Sequence, residues 1–366
     1  LIGLLEVRRR KFQFALITLI VTLISYLVLM INGLGVGLND SAGSALRNFD
    51  ADAIAYSDRS GISVIRSELS QEQVDAIASV PGATASAPIG YLAVNYQSDD
   101  GAIESAAFLG VDPGSIAVPE VINGRELTPD DANAILADSR FLKASGLSIG
   151  DEVKITLRLT EQQFTIVGEI DQGSFFFQPA AYILRSTWQE MKYGEQPNPP
   201  VASIVLMQGE NLPGVTGPGF EVVDKTTAFN NIEGVSGQQS TVVALRVFGY
   251  LIGSTVIGVF FYVLTLQKVP QIGVLKAIGA SNSFVFRQIL FQVIALSVIG
   301  LLISVPLAWL TYQGLQRLPD AVPIAFTTGT YVTTCGALLI TAIIGALFSG
   351  RQVIKTEPII ALGQQQ

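Results

Sequence analysis

Residues 268–292 read KVPQIGVLKAIGASNSFVFRQILFQ, a short polar interruption between two long apolar runs. Its own spacing predicts structure. Between Val269 and Ile278 the residues Ile272, Leu275 and Ile278 recur at helical intervals and can share one face of a short helix. Gly279 can close that helix in the left-handed region. Ser281 or Asn282 can cap the next helix, which runs through Phe284 and Phe286 into the apolar run behind it. The segment therefore reads as a hook, a short helix lying across the base of two membrane spans. The alternative is a solvated loop that binds nothing. An apolar face followed by two cap signals favours the hook.

The composition around the hook fits a membrane protein. With 366 residues, 49% hydrophobic and 14% charged, and a mean hydropathy of +0.47, the chain is too apolar for a soluble protein of its size. The net charge of −8 conceals a division. Residues 40–235 hold 27 acidic and 11 basic residues, whereas the remainder holds 3 acidic and 11 basic. Two regions thus face two environments. The acidic soluble part argues against a nucleic-acid partner, and the basic remainder reads as the flanks of spans in a lipid bilayer. There is no His and a single Cys, which excludes His-based proton transfer, a Cys/His zinc site and an internal disulfide; no metal site is expected. Cys335 sits in an apolar run and reads as a packing residue. No Gly-x4-Gly-Lys-Ser/Thr sequence occurs, so this chain is not the motor that hydrolyses ATP.

In chain order, residues 1–11 form an amphipathic lead whose Arg8, Arg9, Arg10 and Lys11 precede the uncharged run 12–39. That run is longer than a secretory signal core and lacks a clear cleavage site. It reads as a retained first span that starts on the cytoplasmic side and emerges outside near Asp40. Residues 40–238 contain no run able to cross a bilayer, and their turn clusters define a mixed α/β extracytoplasmic domain inserted between helices 1 and 2 of four transmembrane helices. Within it, Ser70 and Gln73 form a capping-box pattern for a helix over 71–79. Strands are expected over 91–96, 153–159, 164–170 and 202–207, with a turn at 146–151. The triplet Phe175, Phe176, Phe177 is either core or an apolar lip near the membrane.

A polar connector, 230–239, returns the chain to the bilayer. The later spans are expected over 241–266, with Arg246 snorkelling from its outer turn, over 288–313, with Pro306 as a kink, and over 330–348. The loop 316–326, with Pro319 and Pro323, lies outside between the last two spans. Residues 239–350 thus hold helices 2–4 with the hook at 268–283, and 351–366 form a cytoplasmic tail.

Five stretches carry a family resemblance. Residues 271–280, QIGVLKAIGA, closely resemble the cytoplasmic signature of FtsX-like, MacB-type (type VII) ABC transporter permeases. NGREL at 123–127, GLSIGD at 146–151 and FTIVG at 164–168 resemble that family's extracytoplasmic motifs. The tail is similar to its terminal signature at Arg351, Pro358, Ala361 and Leu362. The chain departs from the pattern at Gln271, where the family commonly has Glu, and at Gly363, where it has Arg.

The resemblance implies that Gln271, Ile272, Gly273, Val274, Leu275, Lys276, Ala277, Ile278, Gly279, Ala280 and Ser281 form a coupling helix seated on a separate ABC ATPase subunit. That subunit would bring ATP and Mg, leaving this chain without a catalytic residue or cofactor. The resemblance further implies a bacterial cell membrane location with both termini cytoplasmic, and a dimer, homomeric or of paralogues, meeting at the first two spans; an outer adaptor is also possible. Gly33 with Gly37 and Gly249 with Gly253 are small-residue stripes that suit either such a dimer contact or simply helices in a bilayer. The expected function is export or extraction of an amphiphilic compound, whether antimicrobial, peptide, lipid or haem. For haem, Met30, with Tyr26 one turn away, offers a thioether ligand; the plainer role of Met30 is as a lipid-facing or packing residue. The competing class is an FtsX-like scaffold that signals to an extracytoplasmic protein partner.

Overall fold

A computed structural model describes residues 11–157, 160–267, 269–317 and 322–354. The lead at 1–10, Lys268, Pro319 and the tail from 355 lie outside these. The chain divides into two compact units, Leu38–Gln239 and a second made of Leu1–Gly37 with Ser240–Gln366.

The second unit holds long apolar helices. Its elements are α1 (Lys11–Asn48, shared with the domain), α6 (Val235–Leu266), α7 (Val269–Ala277), α8 (Asn282–Leu315) and α9 (Thr328–Ile354). Four of these are long and apolar enough to cross a membrane: Phe14–Asn48, Val235–Val263, Asn282–Leu315 and Thr328–Leu347. One apolar cluster joins Ile17 and Val21 of α1, Ile257 and Phe261 of α6, Ile289 and Val293 of α8 and Ala342 and Ala346 of α9. Small residues permit the closest approaches. A Cβ on Gly345 would lie 3.1 Å from the Gly258 Cα, and one on Gly300 would meet the Val21 side chain at 2.7 Å. The helix α8 continues through Pro306.

The domain contains β1 (Ala53–Ser57), α2 (Gln71–Ala78), β2 (Ala83–Gln97), β3 (Ile103–Val111), β4 (Val121–Gly124), β5 (Ala134–Asp138), α3 (Ser139–Ser145), β6 (Glu152–Leu157), β7 (Thr160–Ile170), β8 (Ser174–Phe175), β9 (Gln178–Leu184), α4 (Arg185–Tyr193), β10 (Ile204–Gly209), β11 (Thr216–Gly217), β12 (Phe220–Asp224) and α5 (Lys225–Asn230). The long strand β2 serves two sheets. Residues 83–89 pair with β10, which leads on through β1 to β12. Residues 90–97 pair with β3. From β3 the order runs through β9, β5, β7 and β6, and β6 pairs back onto β2 at Asn95↔Thr156, so six strands close on themselves. The interior of that ring holds Tyr96, Phe108, Phe141, Ile155, Phe164 and Ile183, all buried. At the branch point Gly90 faces Trp188, where a Cβ would lie 2.0 Å from the indole Cδ2. Only glycine fits there.

The sequence motifs of the domain have local causes. Ser70 and Gln73 make the expected capping box at the start of α2. In GLSIGD, Gly146 closes α3 at φ 72°, and the Asp151 carboxylate accepts the Ser148 N–H at 2.9 Å. In NGREL, the strand ends at Gly124, whose added Cβ would strike the Val167 carbonyl oxygen at 2.4 Å. Arg125 then grips Asp131 with two parallel bonds of 2.6 and 2.8 Å. That grip, with the Thr128 hydroxyl and N–H, holds the Asp131 carboxyl well below the usual range.

Two helices run past the expected span ends into the domain. The first continues beyond Asp40 to Asn48, because the residues beyond 40 have an apolar face of their own: Ala42, Ala45 and Leu46 are fully buried in the domain core. Gly43 takes non-helical angles (φ −178°, ψ 43°) within it. At the other end, α6 starts at Val235, inside the stretch expected as a polar connector, where Ile232 and Val235 join the same core.

Candidate functional site

The hook forms as a nine-residue helix, α7. It is followed by Gly279 at φ +100° and by Ser281, whose hydroxyl accepts the Phe284 N–H at 3.3 Å to cap α8. Its faces differ from the expected ones. Ile272 is buried and, with Val269, packs into the cluster shared by the four long helices. Ile278 is 81% exposed and Val274 is 47% exposed. These two are four residues apart, on one face. The spacing Ile272–Leu275–Ile278 is thus not a common face, because Ile272 is drawn inward by the helices and Ile278 continues the line of Val274; the Leu275 side chain is outside the description, as are those of Gln271 and Ala277. Gly273 is buried, and Ala280 and Lys276 are half-buried. The helix is anchored on one side and apolar on the other.

The four stripe glycines are placed within the chain. A Cβ on Gly33 would meet Phe326 at 2.5 Å, and one on Gly37 would lie 2.0 Å from the Pro323 carbonyl oxygen. Gly249 and Gly253 face Ile31, Val28 and Ile24 of α1 at 3.0–3.9 Å. Gly33 and Gly37 thus allow close approaches within the chain, whereas the neighbours of Gly249 stand at ordinary contact distance. The Tyr26 hydroxyl bonds to the Thr311 hydroxyl at 3.1 Å, tying α1 to α8, and Met30 is half-buried.

Arg246 of α6 turns toward α1, with Nη2 3.5 Å from the Asn32 carbonyl oxygen and close to Gly35, whose added Cβ would sit 2.6 Å from Nη2. Asn32 is itself a junction: its Nδ2 donates to the hydroxyls of Tyr250 and Thr334, both at 3.1 Å. This polar knot was not legible in the sequence, where Asn32 is one polar residue in a long apolar run.

In the domain, the last turns of α1 are clamped. Arg140 donates to Ser44 at 3.1 Å and Ser174 at 3.0 Å, and pairs with Asp40. Behind it, the buried Asp138 carboxylate accepts the N–H groups of Arg140, Gln172 and Gly173 at 2.9, 2.7 and 2.6 Å. Burial pushes that carboxyl up, against the downward pull of these donors. The aromatic triplet is split. Phe175 is core, Phe176 packs on Tyr91 with ring centroids 5.0 Å apart, and Phe177 is 43% exposed. Phe176 and Phe177 form the two-residue turn between β8 and β9, at φ 51° and 62°, positions that favour Asn and Gly. Their N–H groups donate to the carbonyls of Ala42 and Ser41, beside Gly43. Phe177→Gly is expected to relieve this conformation and raise stability by about 1 kcal/mol, seen as a higher Tm; a lower Tm would mean that the ring contacts outweigh the strain.

Family models match over most of the chain: the MacB-like periplasmic core domain over residues 14–216, and the FtsX-like permease C-terminal domain over residues 243–358. The chain belongs to the FtsX-like, MacB-type ABC transporter permeases. It is 26% identical over 360 residues, covering 98% of this chain and 97% of the relative, to a Staphylococcus haemolyticus permease protein named for hemin transport, HrtB. It is 21% identical over 367 residues to an uncharacterized ABC transporter permease of Mycobacterium tuberculosis, covering 99% and 98%. Among solved structures it is similar to the periplasmic region of MacB from Actinobacillus actinomycetemcomitans, at 15% identity and TM-score 0.35, covering 50% of this chain and 92% of that one. As an ABC permease with four apolar helices it is a multi-pass membrane protein, and its class implies an ATPase partner subunit.

Proposed function

We propose that this chain is the permease of an ATP-driven exporter in which a separate ATPase subunit docks on Val274 and Ile278 from the cytoplasm and moves the membrane helices through Ile272. The observation that carries this is the two-sided hook: an outward apolar pair on a helix whose other face is packed into the core of all four spans. Push on such an element and the helices must respond, because packed cores shift as units. The clamp of Arg140 on Asp40 and Ser44 would pass movement of α1 into the domain. ATP and Mg belong to the partner in this reading, and two copies of the permease assemble in the bacterial cell membrane with both termini cytoplasmic.

The cargo is an amphiphile, and hemin is the first to test, because a relative aligned along nearly the whole chain is named for its transport. In the purified complex with its ATPase in lipid nanodiscs, hemin is expected to stimulate ATP hydrolysis several-fold and saturably. A flat response to hemin, lipids and cationic peptides, with basal hydrolysis intact, would defeat the exporter reading and direct the search to an extracytoplasmic protein partner.

A further inference from the structure

Arg246 lies within the candidate span Val235–Val263, yet no anionic partner faces it among the described residues. Neither Asp nor Glu occurs among the described residues of the membrane unit. In the domain, by contrast, Arg47, Arg125, Arg140 and Arg185 each sit against an aspartate. The Arg246 Nε is buried with no hydrogen-bond partner, and its one recorded bond, to the Asn32 carbonyl, is long at 3.5 Å. A guanidinium stays charged at any physiological pH and carries five donors in a fixed fork. An ion placed in apolar surroundings without a counter-charge is strongly unfavourable. Something outside the chain can supply that charge.

Tyr250 follows one turn later on the same face of α6. Its hydroxyl oxygen accepts from Asn32, which leaves its proton able to donate. Around the pair, Val243 and Val247 are each 55% exposed, so an arriving molecule meets apolar surface beside the charge. Arg246 itself is only half-buried. We propose that Arg246 and Tyr250 form a headgroup site in the membrane unit for an amphiphile bearing a phosphate or carboxylate. The site stands independently of what the exporter carries.

The test uses the full chain in detergent, read by native mass spectrometry with phosphatidylglycerol and phosphatidylcholine. Wild type is expected to retain the anionic lipid over the zwitterionic one roughly tenfold, and Arg246→Gln to abolish that preference. Arg246→Lys, which keeps the charge without the fork, should retain part of it. Because Arg246 has no carboxylate to lose among the described residues, Arg246→Gln is expected to keep its Tm; were it to unfold, a weakened preference in Arg246→Lys decides. Competition then separates the sources. Displacement of the lipid by hemin but not by its dimethyl ester means the site accepts a cargo carboxylate, and displacement by neither means it is a lipid phosphate site. Equal lipid preference in wild type and Arg246→Gln, with hemin and its ester bound alike by both, overturns the proposal and leaves the exporter reading standing.

Discussion

Val274→Asp with Ile278→Asp is expected to abolish cargo-stimulated ATP hydrolysis by the assembled complex, a loss of at least about tenfold, while leaving the permease's own Tm unchanged. Both positions are substantially exposed, so the new carboxylates stay hydrated in the isolated chain, and such surface changes usually shift stability by less than about 0.5 kcal/mol. In a docked complex the same positions are apolar anchors. Each buried aliphatic side chain contributes about 1.5–3 kcal/mol, so losing two weakens docking by roughly two to four orders of magnitude. The contrasting variant is Ile272→Asp, which places a charge in the core shared by the four long helices and should lower Tm. Full stimulation in the Val274/Ile278 double variant would remove the hook from the ATPase contact.

Asp138→Ala is expected to have the largest effect on stability. The carboxylate is wholly buried and receives three backbone N–H groups. Alanine leaves all three without an acceptor, at about 1–3 kcal/mol each for a buried donor, less what water entering the cavity recovers. A net loss of about 3 kcal/mol corresponds to a Tm lower by roughly 6–12 °C in a domain of this size. Function should fail beyond this loss of stability, because Gln172 and Ser174, positioned from Asp138, bond Ala45 and Ser44 of α1. Asp138→Asn is the graded comparison: its amide oxygen retains an acceptor, so its Tm should lie between the two. A Tm for Asp138→Ala within about 1 °C of wild type would show that these N–H groups are satisfied another way.

The sequence was most informative where structure is local. Hydropathy located the four spans, the Gly279 and Ser281 signals located the hook, and Ser70 with Gln73 located a helix start, since each depends on neighbouring residues only. It was least informative in the strands β1, β3, β5 and β9. Their runs are buried on both faces, as in AIAYS at 53–57, so they lack the alternation that marks a strand with one wet side. Side-chain direction also escaped. Nothing near Arg246 in the sequence reveals Gly35 and Asn32 on a neighbouring helix, and helical spacing alone cannot tell that Ile272 turns inward while Ile278 does not.

The pairing of β1 has a consequence for how the molecule is made. Its two neighbours come from the far end of the insertion, with Ala53 opposite Met207 and Asp224. At synthesis rates of about 5–20 residues per second, β1 leaves the ribosome on the order of ten seconds before either partner exists. During that interval an apolar segment waits with both edges open, the condition under which strands pair with the wrong chain. The sheet closes only shortly before the ribosome delivers α6 at Val235. Translocation and membrane insertion therefore have to keep β1 protected until β10 and β12 arrive, and the yield of this protein in a foreign host is expected to depend on that protection.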